Sequence, residues 1–257
     1  MSKTGIALSG GGARGAAHIG VLQALNENGI YPEHVSGSSA GSIIAALYCY
    51  GHSPLEILEL SHQKEFLKIF KLGFFNKGLT ELTSLRSFLS HHINVPGFKK
   101  LRSQLYVCVS NINSGKFEII SNGDFIEPLL ASCALPLLFR PVVMDGRTYV
   151  DGGLLNNLPV EPLLKVCDKI IGSSVCPHEE RTKVNGRRNV GSRCLQLAIW
   201  NTVQPRLKQC NVALEIDESY RFNMFDLKQS DKLFEIGYDT TMKRMPEILK
   251  KLGENRR

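Results

Sequence analysis

Two rhythms of apolar residues alternate along this chain: short continuous runs, and longer stretches with an apolar residue every three or four positions. Residues 3–9 carry Ile6-Ala7-Leu8 straight into glycines, which predicts a buried strand feeding a tight turn. Residues 13–28 follow with Ile19, Val21, Leu22 and Leu25 at helical spacing and Gly29 as a stop. A short strand at 34–37 and a helix at 40–50, closed by Gly51, repeat the unit. Ser53-Pro54-Leu55-Glu56 is a capping box with proline in the first turn, so a third helix starts there. Strand, turn and helix twice over predict an α/β fold, a parallel sheet with covering helices.

The middle is less regular. Residues 105–110 and 116–121 read as a hairpin. A helix is expected over 124–134, ended by Pro136. Segments 142–144 and 148–150 flank the turn Asp145-Gly146, and 170–175 is another strand. The polar segment 181–193, with four arginines, one lysine and no acid, reads as a loop. A helix at 194–203, a strand at 212–216 and a long amphipathic helix from Ser230 complete the pattern. No repeat or linker interrupts it. One catalytic domain over 1–257 is therefore expected, with a core at about 4–175 completed by 194–252.

Composition narrows the class. Lys and Arg outnumber Asp and Glu by 31 to 24, a net charge of +7. That balance suits anionic surfaces, phospholipid or nucleic acid, as well as plain solubility. No aromatic-basic reader motif accompanies it, so no nucleic-acid partner is expected. Seven scattered cysteines without a CxxC pair predict reduced thiols in a cytoplasmic protein, not a zinc site. No signal-peptide pattern and no apolar run near the ~20 residues of a membrane span are visible, so a soluble or peripherally bound protein is expected. The apolar and lysine-rich stretch 66–77 is an ordinary packed helix or an interfacial patch. Leu135, Leu137, Leu138 and Phe139 suit plain core or an acyl pocket, and the 181–193 loop suits solvent or head groups.

Three strings carry candidate chemistry. Gly10-Gly11-Gly12-Ala13-Arg14-Gly15 follows a strand and opens a helix, so its backbone N–H groups can bind an oxyanion or a phosphate. The run also satisfies G-x-G-x-x-G, but the second strand ends in Ser36-Gly37-Ser38 without the acid that a dinucleotide site needs, and no Gly-Lys-Ser/Thr follows. Gly37-Ser38-Ser39-Ala40-Gly41 presents Ser39 between strand and helix, as a nucleophile or only as a helix cap. Asp151-Gly152-Gly153 puts a carboxylate at a strand end, as a base for Ser39 or only as a turn former. His178 is the one histidine after Asp151, which gives the Ser…Asp…His order of an α/β-hydrolase. The elbow, however, follows only the second strand, and His178 sits beside Pro177 and a charged loop, which favours a surface histidine.

The three strings in this order resemble the patatin-like phospholipase family. Ala131-Ser132-Cys133-Ala134-Leu135-Pro136, with Phe139 and Pro141 after it, and Asn157-Leu158-Pro159-Val160 are similar to further family segments. The resemblance implies a three-layer α/β/α fold with a mostly parallel central sheet and an oxyanion motif at Gly10, Gly11, Gly12, Arg14 and Gly15. It also implies a nucleophile at Ser39 flanked by Gly37 and Gly41, and a base at Asp151 beside Gly152 and Gly153. It implies ester hydrolysis in lipids or phospholipids, transient contact with a membrane, and no metal or organic cofactor. An acyltransferase using the same acyl-enzyme, and a catalytically inactive lipid-binding module, are the alternatives.

Overall fold

The computed structural model describes residues 3–68, 82–176 and 184–253. Of the readings above, most of 66–77, the start of 181–193 and His178 lie outside the described residues.

Strands β1 (Thr4–Leu8), β2 (His34–Ser38), β3 (Gln104–Asn111), β4 (Lys116–Ile120), β5 (Val142–Met144), β6 (Arg147–Asp151), β7 (Lys169–Ser174) and β8 (Val212–Glu215) form one mixed sheet. Its order is β5-β6-β3-β2-β1-β7-β8, with β4 added on β3. The pairs β1–β2, β2–β3, β1–β7 and β7–β8 are parallel; those involving β4, β5 and β6 are antiparallel. Asp145 and Gly146, at φ 48 and 74, make the left-handed turn between β5 and β6 that an Asp-Gly pair favours.

Helices cover both faces, because alternate residues of the central strands point opposite ways. Ile6 and Leu8 join a core with α1 (Ala16–Glu27), α2 (Ala40–Tyr50), α3 (Pro54–Ser61), α5 (Thr83–His92), α6 (Ile126–Ser132) and α8 (Ser230–Leu252). Ala7 joins a smaller core on the other face with Leu158, Val160, Leu163 and, from α7 (Arg187–Leu207), Val203 and Leu207. The α1–α8 crossing is close at Gly20 and Gly237, where any Cβ would strike the opposite helix backbone. A short α4 (Lys64–Lys68) follows α3.

Three local expectations change. The helix expected over 13–28 opens as a 3-10 turn at Gly12–Gly15 before α1 proper. α5 was not anticipated, although Leu85, Phe88 and Leu89 stand at helical spacing and are buried. α7 begins at Arg187, not at 194, so half of the expected loop is helix. Its first turns lack the apolar stripe that marks a helix in sequence, and among the described side chains of α7 burial starts only at Val203. Among the described residues, no helix is long and apolar enough to cross a membrane.

Candidate active site

The sheet register explains why Ser39 and Asp151 meet. β2 pairs with β3 over 104–108, and β6 pairs with β3 over 109–111, while β4 occupies the other edge at 107–111. β2 and β6 therefore share one edge of β3. They run in opposite senses, so their C-terminal ends face each other, with Ser38 beside Cys108 and Asp151 beside Val109. The chain leaves β2 at Ser39 and leaves β6 just after Asp151. Residues 112 positions apart in sequence are thus delivered to one point.

Ser39 has φ 51 and ψ −127, a conformation that costs a non-glycine residue about 1–3 kcal/mol and persists only when its surroundings impose it. Ser132 Oγ accepts its N–H at 2.9 Å, and its carbonyl accepts from Ser42 N at 2.8 Å and Ser42 Oγ at 2.6 Å. The Ser39 side chain makes no cap hydrogen bond to α2, so the hydroxyl is not spent as a helix cap. Gly37 and Gly41 permit the turn, since a Cβ on Gly37 would lie 2.5 Å from the Gly41 carbonyl oxygen and one on Gly41 would strike the backbone of Leu8 and Ser9. The N-terminus of α2 directs its partial positive charge at this turn.

Asp151 is 3% exposed. Its Oδ1 accepts from the Gly153 N–H at 2.8 Å, and it shares the cleft with Ser39. Burial lifts its pKa to about 6, while the Ser39 side chain and the Gly153 N–H pull the other way. The Cys108 and Cys133 thiols nearby are held protonated by burial, well above the ordinary thiol range. Gly152 and Gly153 fit because Cys108 and Asn157 leave no room for a Cβ.

The glycine run divides its labour. Gly10 N–H is already taken by Asn157, at 3.1 Å to Oδ1, and Asn157 Nδ2 returns a bond to the Gly10 carbonyl. Gly11 and Gly12 line the cleft at Ser39, and their N–H groups have no acceptor among the described residues. Gly12, at φ 60, passes under the Met224 carbonyl with no space for a Cβ. Gly15 lets the 3-10 turn close on Ala40. Arg14 also lines the cleft; its Nε donates to the Phe222 carbonyl at 2.9 Å and an Nη to that of Tyr220 at 3.1 Å. These bonds tie the glycine turn to the 220–222 segment beside the cleft.

These residues line a cleft that opens to solvent. Asp151, Ser39 and the glycines form its floor, and Leu135, Leu197, Trp200, Met224 and Phe225 give it apolar walls. Leu137 projects beside Leu135, 86% exposed and at φ 71. His18 is not a partner of the site. It lies fully buried, with Nε2–H donating to the Ser9 carbonyl at 2.9 Å and Nδ1 accepting from Ser173 Oγ at 2.8 Å. Burial drops its pKa to about 4, so it stays neutral.

Asn157 and Ser132 are the contributors that sequence reasoning passed over. Each stands in a segment noted above, but contacts at separations of 147 and 93 residues leave no local signal.

Comparison with known proteins places the chain in a family and a fold. The chain is 32% identical over 208 residues to a lysophospholipase NTE1 of Meyerozyma guilliermondii, covering 77% of this chain and 14% of that protein. It thus spans about one seventh of the length of that relative. An uncharacterised protein of Acanthamoeba polyphaga mimivirus is 25% identical over 280 residues, covering 95% of this chain and 94% of its own length. The crystal structure of VipD from Legionella pneumophila superposes with a TM-score of 0.56 at 17% identity, over 96% of this chain and 67% of that one, a likeness of fold. The family model for patatin-like phospholipase matches residues 6–164, most of the sheet and both halves of the Ser39–Asp151 pair, and the chain belongs to that family.

Proposed function

We propose that this protein is a serine lipid acyl hydrolase of the phospholipase A or lysophospholipase type, working with Ser39 and Asp151 alone. The observation that carries the reading is a serine on a strained strand-to-helix turn that lines the same cleft as a buried carboxyl, Asp151. Ionised Asp151 takes the Ser39 proton as Oγ attacks the ester carbonyl carbon. The Gly11 and Gly12 N–H groups receive the oxyanion, aided by the α2 terminus. Collapse breaks the ester bond, and Asp151 returns the proton to the departing alcohol oxygen. Water then repeats the sequence on the acyl-enzyme and frees the fatty acid. No histidine takes part, and the 1–257 chain acts as one catalytic unit that draws its substrate from a lipid surface.

The apolar cleft walls and the lysophospholipase relative make a lysophospholipid the first substrate to try. Wild type is expected to release free fatty acid from lysophosphatidylcholine, and Ser39→Ala to release none. Equal release by Ser39→Ala refutes the reading. Transfer of the acyl group to an added lysolipid or alcohol in preference to water makes the protein an acyltransferase. Absence of any turnover across lipid classes makes it a binding module.

A further inference from the structure

The C-terminal end of α6 touches both halves of the Ser39–Asp151 pair. Ser132 Oγ accepts the Ser39 N–H at 2.9 Å, and the carbonyl of Ala134, two residues on, accepts the Asp151 N–H at 3.0 Å. Ser132 is completely buried in an otherwise apolar wall of Pro128, Leu129, Leu130, Ala131, Cys133 and Ala134. A hydroxyl in such a wall is costly unless it is partnered, and the partner here is the amide of the strained serine itself.

We propose that Ser132 is a positioning residue for acyl transfer: by accepting the Ser39 amide it holds the turn in its left-handed conformation, and with Ala134 it sets the separation of the Ser39 hydroxyl and the Asp151 carboxyl. The proposal rests on the roles given above to Ser39 and Asp151. Three chain segments meet at this point, the β2–α2 turn, the end of β6 and the end of α6. Only the last bonds to the backbone of both others at the reacting residues. Because Ser132 occupies the Ser39 N–H, that amide is withheld from the oxyanion, and the task falls to Gly11 and Gly12.

The consequence is kinetic. Without the Ser132 oxygen the turn relaxes and Ser39 Oγ drifts from Asp151. The acylation rate falls while the cleft, and so binding, is untouched. A displaced Ser39 side chain also favours the ionised carboxyl less, so the acid limb of the rate profile moves to higher pH. The titratable groups facing Asp151 from β3 and α6 are Cys108 and Cys133, both held neutral by burial, so no other charge there confuses the limb.

The test is hydrolysis of a soluble short-chain ester by wild type, Ser132→Ala, Ser132→Thr and a control, Ser36→Ala. Ser36 Oγ is equally buried on β2 and bonds the Pro159 carbonyl at 2.6 Å, away from the pair. Ser132→Ala is expected to lose kcat on the order of 10- to 100-fold with KM little changed. Its acid limb should rise, Ser132→Thr should recover activity, and Ser36→Ala should keep kcat. Should Ser132→Ala fail to fold, Ser132→Cys, a weaker acceptor of similar shape, carries the same expectation. Wild-type kcat in Ser132→Ala, or an equal fall in the Ser36→Ala control, overturns the positioning role while leaving the Ser39 reading intact. Hydrolysis that persists in Ser39→Ala overturns both.

Discussion

Asp151→Asn should abolish turnover and at the same time stabilise the fold at neutral pH. The buried carboxyl has a pKa of about 6 against an ordinary 3.8. A raised acid pKa means that the native state holds the proton more tightly than the unfolded chain does. Ionised Asp151 therefore destabilises the fold above pH 6, and that penalty fades as pH falls through 6 towards 4. The gap corresponds to about 3 kcal/mol at pH 7.5 and about 1 kcal/mol near pH 4.5. Asparagine removes the charge and keeps an oxygen for the Gly153 N–H. At roughly 2–4 °C per kcal/mol for a domain of this size, the variant should melt several degrees above wild type at pH 7.5. The assay is thermal unfolding of both proteins at the two pH values. The pH response of His18 is common to both proteins and cancels. A variant that melts at or below wild type at pH 7.5, or a gap that does not narrow on acidification, refutes the assignment of a desolvated base.

Gly41→Ala should misfold or lose on the order of 3 kcal/mol or more, read as soluble yield and denaturation midpoint, because its Cβ falls on the Leu8 and Ser9 backbone. Leu137→Asn should raise the melting temperature, since asparagine tolerates the left-handed conformation that costs leucine about 1–2 kcal/mol, and an 86% exposed side chain gives up little packing. His18 titrates oppositely to Asp151. Its native pKa of about 4 lies below the ordinary 6.5, so it costs about 3 kcal/mol of stability as pH falls from 6.5 to 4, and urea midpoints of His18→Gln should be flatter over that range.

The chain announces its glycine turns, its capping box and its strand–turn–helix units, because each depends on residues close in sequence. Ser53 and Glu56 form the predicted box, and Asp145-Gly146 forms the predicted turn. The edge shared by β2 and β6 was not legible. It depends on the pairing of segments some 40 to 70 residues apart, which no periodicity records. The same holds for Asn157 on Gly10 and for the bonds of Arg14 to the Tyr220 and Phe222 carbonyls, which join residues far apart in sequence. The polar first turns of α7 read as loop because they carry no apolar stripe.

The central claim is that Ser39 is a nucleophile driven by Asp151. Reaction with a fluorophosphonate, followed by mass analysis of the modified peptide, tests it most directly. The adduct should map to Ser39 in wild type, vanish in Ser39→Ala and form much more slowly in Asp151→Asn. An unlabelled wild type, an adduct on another residue, or labelling of Asp151→Asn at the wild-type rate contradicts it.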